Sequence, residues 1–348
     1  MAYEIDYIPV GDGEKCGDAI TLRFGNLSGS REEQTVVVID GGFKDSGEKL
    51  VQHVSKYYGT DFIDLVISTH SDEDHCSGLS VVLENCKVGC LFMHKPWEHA
   101  SDIKSLFQNG KITSSGLEQR LERSLQNASD LESIAIKNKI QIIEPFQGET
   151  RFSGAVHILG PSQEDYEKLL PLFRSTPTPI DSLSKLIKRA GEEIIKWIDD
   201  KLDIDLLNDD NDTTSPENNT STIVLFNIDG QKFLFTGDAG KTGLLSAIDY
   251  VNNLNIPLTD LNFFDVPHHG SKRNLSSKVL KNIKAKTAFI SAPKNSSKHP
   301  ARKITNALKK RDMRVFVNRE STLCHNEGGP DRGWAQATEE PFHNQVEE

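Results

Sequence analysis

The sequence predicts an α/β fold in which two β-sheets are covered on their outer faces by helices, with a mostly helical insertion in the middle of the chain. Three observations predict it. Short β-branched runs crowd both ends of the chain, apolar residues at three-to-four spacing fill its centre, and a cluster of histidines and acids begins where one apolar run stops. At 348 residues the chain is long enough for one large domain with an insertion.

Residues 19–24 and 35–40 read as strands, the second closed by Asp40-Gly41-Gly42. Residues 62–69 read as a buried strand that delivers its last residues to a loop at its carboxyl end. Leu117, Leu121, Leu125, Leu131 and Ile134 mark helix over 100–140, and residues 140–143 and 155–159 return to strand. A second helical stretch is expected over 162–205, broken at Pro177 and Pro179 and resuming through Leu183, Leu186, Ile187, Ile194, Ile195 and Ile198. Its apolar face must be buried, over the site or against another subunit or partner protein. Acid-rich residues 208–219 have no apolar surface to repay ordering and read as a mobile linker. Residues 221–226 and 232–236 read as a strand pair around Asp229-Gly230, 262–267 and 286–291 as further strands, and 301–311 as a helix, while the last 25 residues look irregular. The expected divisions are 1–160 for the first half of the fold, 161–217 for the insertion and acidic linker, 218–320 for the second half and 321–348 for an irregular tail.

Composition narrows the function classes. Hydrophobic residues make up 36% and charged residues 26%, which reads as globular. No apolar stretch approaches the roughly 18 residues of a membrane span, and the start MAYEIDYIPVGDG lacks the basic flank of a signal peptide, so a cytoplasmic location without membrane contact is expected. Cys16, Cys76, Cys86, Cys90 and Cys324 form no CxxC pair and are odd in number, which favours free thiols. The net charge of −11 argues against nonspecific affinity for nucleic acid, yet residues 268–314 hold 14 Lys or Arg and a single acid, Asp312. Such a segment is either a solvated basic face or the lining of an anion path.

The run His70-Ser71-Asp72-Glu73-Asp74-His75 carries the strongest chemical signal. Alternating side chains turn His70 and Asp72 towards one ion and Asp74 and His75 towards another, and mixed imidazole and carboxylate donors suit divalent first-row metals, with added carboxylate favouring harder ions such as Mn²⁺. Thr69-His70-Ser71-Asp72-Glu73-Asp74-His75, followed closely by Gly78, resembles the first signature of the metallo-β-lactamase superfamily. Asp72 stands where most members carry a second His, a variant similar to the ComEC-like hydrolase domain. Asp40-Gly41-Gly42, Phe235-Thr236-Gly237-Asp238, Val266-Pro267-His268-His269-Gly270-Ser271 and His299-Pro300 follow in the matching order.

The resemblance implies an αββα sandwich and two divalent metal ions, Mn or Zn with Mg also possible. It implies that His70, Asp72, Asp74, His75, Asp238 and His269 are the ligands, that Asp238 bridges the ions and that Asp74 also orients the attacking water. Superfamily members usually add a mid-chain His. His157 is the candidate here, although alternation along its strand equally makes it a core residue, and His94 and His99 are weaker candidates.

A phosphodiester requires more positive charge than an ester or lactam, and Ser271, Lys272 and Arg273 follow the His268-His269 pair directly. Lys294, Lys298 and Arg302 flank His299, which resembles a histidine that contacts phosphate or protonates a leaving oxygen. The expected catalytic groups are therefore Asp74, His299 and Lys272, with His268, Ser271, Lys272, Arg273 and Lys298 on the substrate. The expected activity is two-metal phosphodiester hydrolysis of nucleic acid or a nucleotide signal. A small-molecule hydrolase of lactonase, thioesterase or amidase type and a noncatalytic partner subunit are the alternatives.

Overall fold

The structure, a computed structural model, describes all residues except 108–112, 175, 177–195, 208, 210 and 211. The first half of the chain contributes strands β1 (Ala2–Tyr7), β2 (Ala19–Gly25), β3 (Gln34–Gly41), β4 (Phe62–Ile67), β5 (Lys87–Phe92) and β6 (Gln141–Ile143). There follow β7 (Thr150–Arg151), β8 (Val156–Gly160), β9 (Trp197–Asp199), β10 (Ile223–Ile228), β11 (Gln231–Phe235), β12 (Leu261–Asp265), β13 (Ala285–Ser291) and β14 (Arg314–Asn318). Two late strands, β15 (Leu323–Glu327) and β16 (Gln345–Glu347), complete the set.

One sheet runs β15-β1-β2-β3-β4-β5-β6 and the other β14-β13-β12-β11-β10-β8-β7. In each, an antiparallel group gives way to a parallel one, at β3 paired with β4 and at β11 paired with β12. The two inner faces share a core of Tyr7, Leu22, Ile39, Ile67, Phe226, Phe235, Phe263 and Phe289. The alternate positions of the same strands, such as Val36, Val38 and Val66, pack under the helices Lys44–His53 and Leu79–Asn85. Leu234, Phe264 and Ala288 do so under Lys241–Asn253 and Arg302–Lys309. Strands apolar on both faces therefore sit in the middle of four layers, helix, sheet, sheet and helix, as the sequence predicts.

Three expectations change. Residues 321–348 are not simply irregular: Tyr3 to Tyr7 pair with Glu327 to Leu323, making β15 the edge of the first sheet, and β16 pairs with β9. Ile198 therefore lies in a strand rather than a helix, because its partner is a late, distant segment that local periodicity does not reveal. The acid-rich linker is packed where it is described, with Glu217 and Asn218 buried in the helix Pro216–Asn219. Its polar side chains repay ordering through hydrogen bonds rather than apolar burial. Pro177, Pro179, Leu183, Leu186, Ile187, Ile194 and Ile195 lie outside the described residues. No helix among the described residues is long and apolar enough to cross a membrane, and all five cysteines are free thiols.

Candidate metal centre

The parallel strands of both sheets point their carboxyl ends at one place, and loops from β3, β4, β11, β12 and β13 meet there. Asp40 closes β3, residues 68–75 follow β4, Thr236-Gly237-Asp238 follows β11 and Pro267-His268-His269 follows β12. Gly237, at φ +49°, faces Thr69 so closely that an added Cβ would lie 2.9 Å from the Thr69 Cβ. Close approach of the loops that carry His70 and Asp238 therefore requires glycine.

Asp238 lies at the middle of the cluster. Its Oδ1 is 3.4 Å from His75 Nε2 and 3.8 Å from His269 Nε2. Its Oδ2 is 4.0 Å from His70 Nε2 and 3.6 Å from His268 Nε2, and accepts a 2.8 Å hydrogen bond from Asn218 Nδ2. Asp72 Oδ2 is 4.0 Å from His70 Nε2, while Asp74, His75 and His269 bring ligand atoms within 4.8 Å of one another. Donors sharing an ion at about 2.1 Å stand roughly 3.4 Å apart in a tetrahedron, close to this spacing.

The hydrogen bonds around the rings fit a metal better than any protein partner. His75 Nδ1 donates to Asp40 Oδ2 at 2.8 Å, and His269 Nδ1 donates to the Ser291 carbonyl at 3.0 Å. The Thr69 hydroxyl donates to Asp40, so His70 Nδ1 must donate to Thr69 Oγ1 at 3.0 Å. Each ring is thus fixed with Nε2 facing inwards. His70 Nε2, His75 Nε2, His269 Nε2 and Asp238 Oδ1 are all buried without a hydrogen-bond partner. Four orphaned donors or acceptors around one point would cost several kcal/mol if nothing occupied it.

Charge points the same way. Asp18 is buried 3.8 Å from His75 Nδ1 and 3.6 Å from His269 Nδ1. Burial pushes the carboxyls of Asp18 and Asp238 well above the usual range, with His75 only partly offsetting it. Burial also holds His70 and His269 well below the ordinary imidazole value. Burial opposes charge on His75, but Asp238 and Asp40 raise its pKa well above the ordinary value. A buried excess of carboxylate calls for a cation.

The residues read as substrate contacts divide. His268 and His299 stack with ring centroids 5.8 Å apart. Burial, with His299 and Arg273 nearby, pushes His268 down to about 3. Ser271 is buried, with its N–H on the His268 carbonyl, and Lys272 donates to the Glu348 backbone carbonyl at 3.3 Å. Lys298 pairs with Glu14 at 3.5 Å. Along the basic segment as a whole, Lys284, Lys294, Lys298, Lys309, Lys310, Arg311 and Arg314 pair with Asp312, Glu320, Glu14, Glu339, Asp200 and Asp205. A continuous basic lining from 268 to 314 is thus not what the fold makes, because acids outside the segment pair with six of its 14 cations and Asp312 within it pairs with a seventh.

None of the mid-chain histidines reaches the centre. His157 on β8 bonds the Tyr250 hydroxyl at 3.2 Å, His94 faces Thr222 at 3.4 Å, and His99 is held between Glu144 and Glu167. Sequence reading missed three residues of the site: Asp18, Asn218, and Arg174, whose Nη2 is 3.5 Å from Asp72 Oδ2 and whose Nε donates to Glu217 at 3.2 Å. Ser215-Pro216-Glu217, a capping residue followed by proline and an acid, is a helix-start signal within the stretch read as a linker and could have placed Asn218.

Comparison with known proteins gives the following. A family model described as the metallo-beta-lactamase superfamily matches residues 31–293. ComE operon protein 3 of Bacillus subtilis (strain 168) is 27% identical over 156 residues, spanning 44% of this chain and 18% of that protein. The match therefore covers less than a fifth of that relative's length. Among solved structures, a diphosphatase from the PhnP family is 10% identical, with 94% of this chain and 98% of that chain covered and a TM-score of 0.42. An archaeal metallo-beta-lactamase superfamily protein from Sulfolobus tokodaii is 15% identical, with 80% and 83% covered and a TM-score of 0.32.

Proposed function

The chain belongs to the metallo-beta-lactamase superfamily, and from that premise we propose a phosphodiesterase that holds two divalent ions on either side of Asp238 and cleaves a short substrate, a nucleotide signal or a strand end. The orphaned Nε2 atoms of His70, His75 and His269 around Asp238 carry the reading. His70, Asp72 and Asp238 Oδ2 would hold one ion, and Asp74, His75, His269 and Asp238 Oδ1 the other. Bound divalent ions supply positive charge to substrate oxygens and acidify water.

The chain's own part is to orient and to bind. Asp40 and Thr69 fix the rings of His75 and His70, so that their lone pairs cannot rotate away. Arg174 sits at Asp72, where the negative charge of a phosphate would meet it, and Arg273 lies close enough to His268 and His299 to disfavour protonation of both. Burial lowers the pKa of His299, which suits a neutral hydrogen-bond donor to a phosphate oxygen better than a proton donor. With half of the basic segment paired to acids, the cations placed beside the centre, Arg174 and Arg273, match one or two phosphates rather than a long strand.

Metal-stripped protein resupplied with Mn²⁺, Zn²⁺ or Mg²⁺ and offered a dinucleotide, a cyclic dinucleotide, a long oligonucleotide and a neutral lactone tests this. The expected result is metal-dependent cleavage of the short phosphodiesters, with a shallow salt dependence. Arg174→Ala and Arg273→Ala should each raise KM about tenfold, as loss of one charge-assisted hydrogen bond does. Turnover confined to the lactone overturns the proposal.

A further inference from the structure

The resemblance to the superfamily calls for an imidazole from the middle of the chain, and His157, His94 and His99 are all engaged elsewhere. On the Oδ2 side of Asp238 a second imidazole besides His70 does approach, that of His268, with Nε2 3.6 Å away. We infer that His268 takes the place of the mid-chain histidine, so that two consecutive histidines serve the two sides of one carboxylate.

Three observations carry this. His268 and His269 both have left-handed backbone, at φ 52° and 55°. Side chains other than glycine rarely adopt that conformation, and strained residues of this kind persist where the surrounding structure imposes them for function. Here the paired strain turns both rings to the same carboxylate, His269 to Oδ1 and His268 to Oδ2.

The second observation is the ring's hydrogen bond. Asn274 is fully buried, and its Nδ2 donates to the carbonyls of Asp238 and Ala239 at 2.9 and 3.1 Å, which fixes its Oδ1 towards His268. His268 Nδ1 must then donate to Asn274 Oδ1, at 3.0 Å, leaving Nε2 as the lone pair. His70, His75 and His269 have the same arrangement, with Nδ1 donating outwards and Nε2 facing Asp238. A ligating histidine is oriented in this way by an acceptor on its far nitrogen.

The third is position. Without His268 the Oδ2 side would offer His70 and Asp72 with Asp238, and Asp72 is the more exposed of the two. His268 adds a second imidazole on that side, with its ring stacked on that of His299.

The inference rests on the two-ion reading and is tested separately from it. Wild type, His268→Gln and His268→Ala are stripped, reloaded with Zn²⁺ and, separately, Mn²⁺, and passed through gel filtration before elemental analysis. Wild type should carry two ions and both variants one, with metal-free melting temperatures unchanged. Variants that keep two ions at wild-type affinity overturn the ligand assignment and leave the two-ion reading intact. Wild type holding fewer than two ions overturns both. A measurement on wild type alone guards against misfolded variants. Carbethoxylation of His268, followed by mass spectrometry, should slow at least tenfold on metal loading, and an unchanged rate would show that its Nε2 is not engaged.

Discussion

Asp238 shows how much one side chain's surroundings decide. Burial raises its carboxyl pKa, and neighbouring acids add to that, so in metal-free protein it competes for protons rather than releasing them. His75, held by Asp238 and Asp40 against burial, is also raised. A raised acid and a raised histidine both make the folded chain bind more protons than the unfolded one, so each contributes stability that is lost as pH rises. For His75 the loss begins near the unfolded value of about 6.5 and continues upwards. His70 and His269, lowered by burial, act in the other direction, but only as pH falls below that value. Metal-free protein should therefore melt at progressively lower temperature from pH 7 to pH 9, while metal-loaded protein, with the ion in place of the proton, stays flat. Equal pH dependence in the two forms would contradict this account of the centre. His70 and His75 were legible in the sequence because they stand five residues apart and so must lie close in space, whereas Asp238 and His269, far away in the chain, were read only from the order of motifs that the superfamily resemblance supplies. Asp18, Asn218 and Arg174 were not, since each is a lone polar residue whose role arises only when distant loops meet.

Among the elements, the late strands were the least legible and have the widest consequences. β15 reads Leu323-Cys324-His325-Asn326-Glu327, too polar and short to signal a strand, yet it completes the first sheet beside β1. β16 is three residues long and anchors through Val346, which is fully buried. Beside it, Glu347 accepts from the first-turn amides of Arg302 and Lys303, both at 3.2 Å, and the Asn306 side chain donates to Asp200 and the His343 carbonyl. Acids at a helix start offset its dipole, so this segment caps the helix Arg302–Lys309 that begins just after His299. Val346→Ala should cost about 2 kcal/mol in denaturant unfolding, as truncating a buried aliphatic side chain does, without changing metal content. A change below about 0.5 kcal/mol would mean that β16 is not docked in solution. The strands β2, β3, β4, β10, β11, β12 and β13 were readable because each is a short apolar run, closed by Gly or Asp at β2, β3, β10 and β12. β9 was not, because its partner lies in a segment with no local signature.

At the scale of the whole molecule, each half of the chain makes an antiparallel group followed by a parallel one, and the two parallel groups aim their carboxyl ends at the same point. Ligands at such ends are held by a sheet rather than by each other, which is why loops from both sheets converge on Asp238. The sequence carried this much in the distribution of strand runs and in the ordered motifs. It could not show how charge is shared across the fold. The 14 cations of residues 268–314 looked like one surface until Asp200, Asp205, Glu320 and Glu339 came to face them. Net charge along a segment is a property of the chain, whereas a binding field is a property of the folded surface. The central claim remains the pair of ions about Asp238. Anomalous diffraction at the zinc or manganese edge from metal-loaded crystals tests it most directly. Two peaks should appear, one on the Oδ1 side near His75 and His269 and one on the Oδ2 side near His70. A single peak, or peaks away from Asp238, such as at the His99, Asp102 and Glu167 cluster, would contradict it.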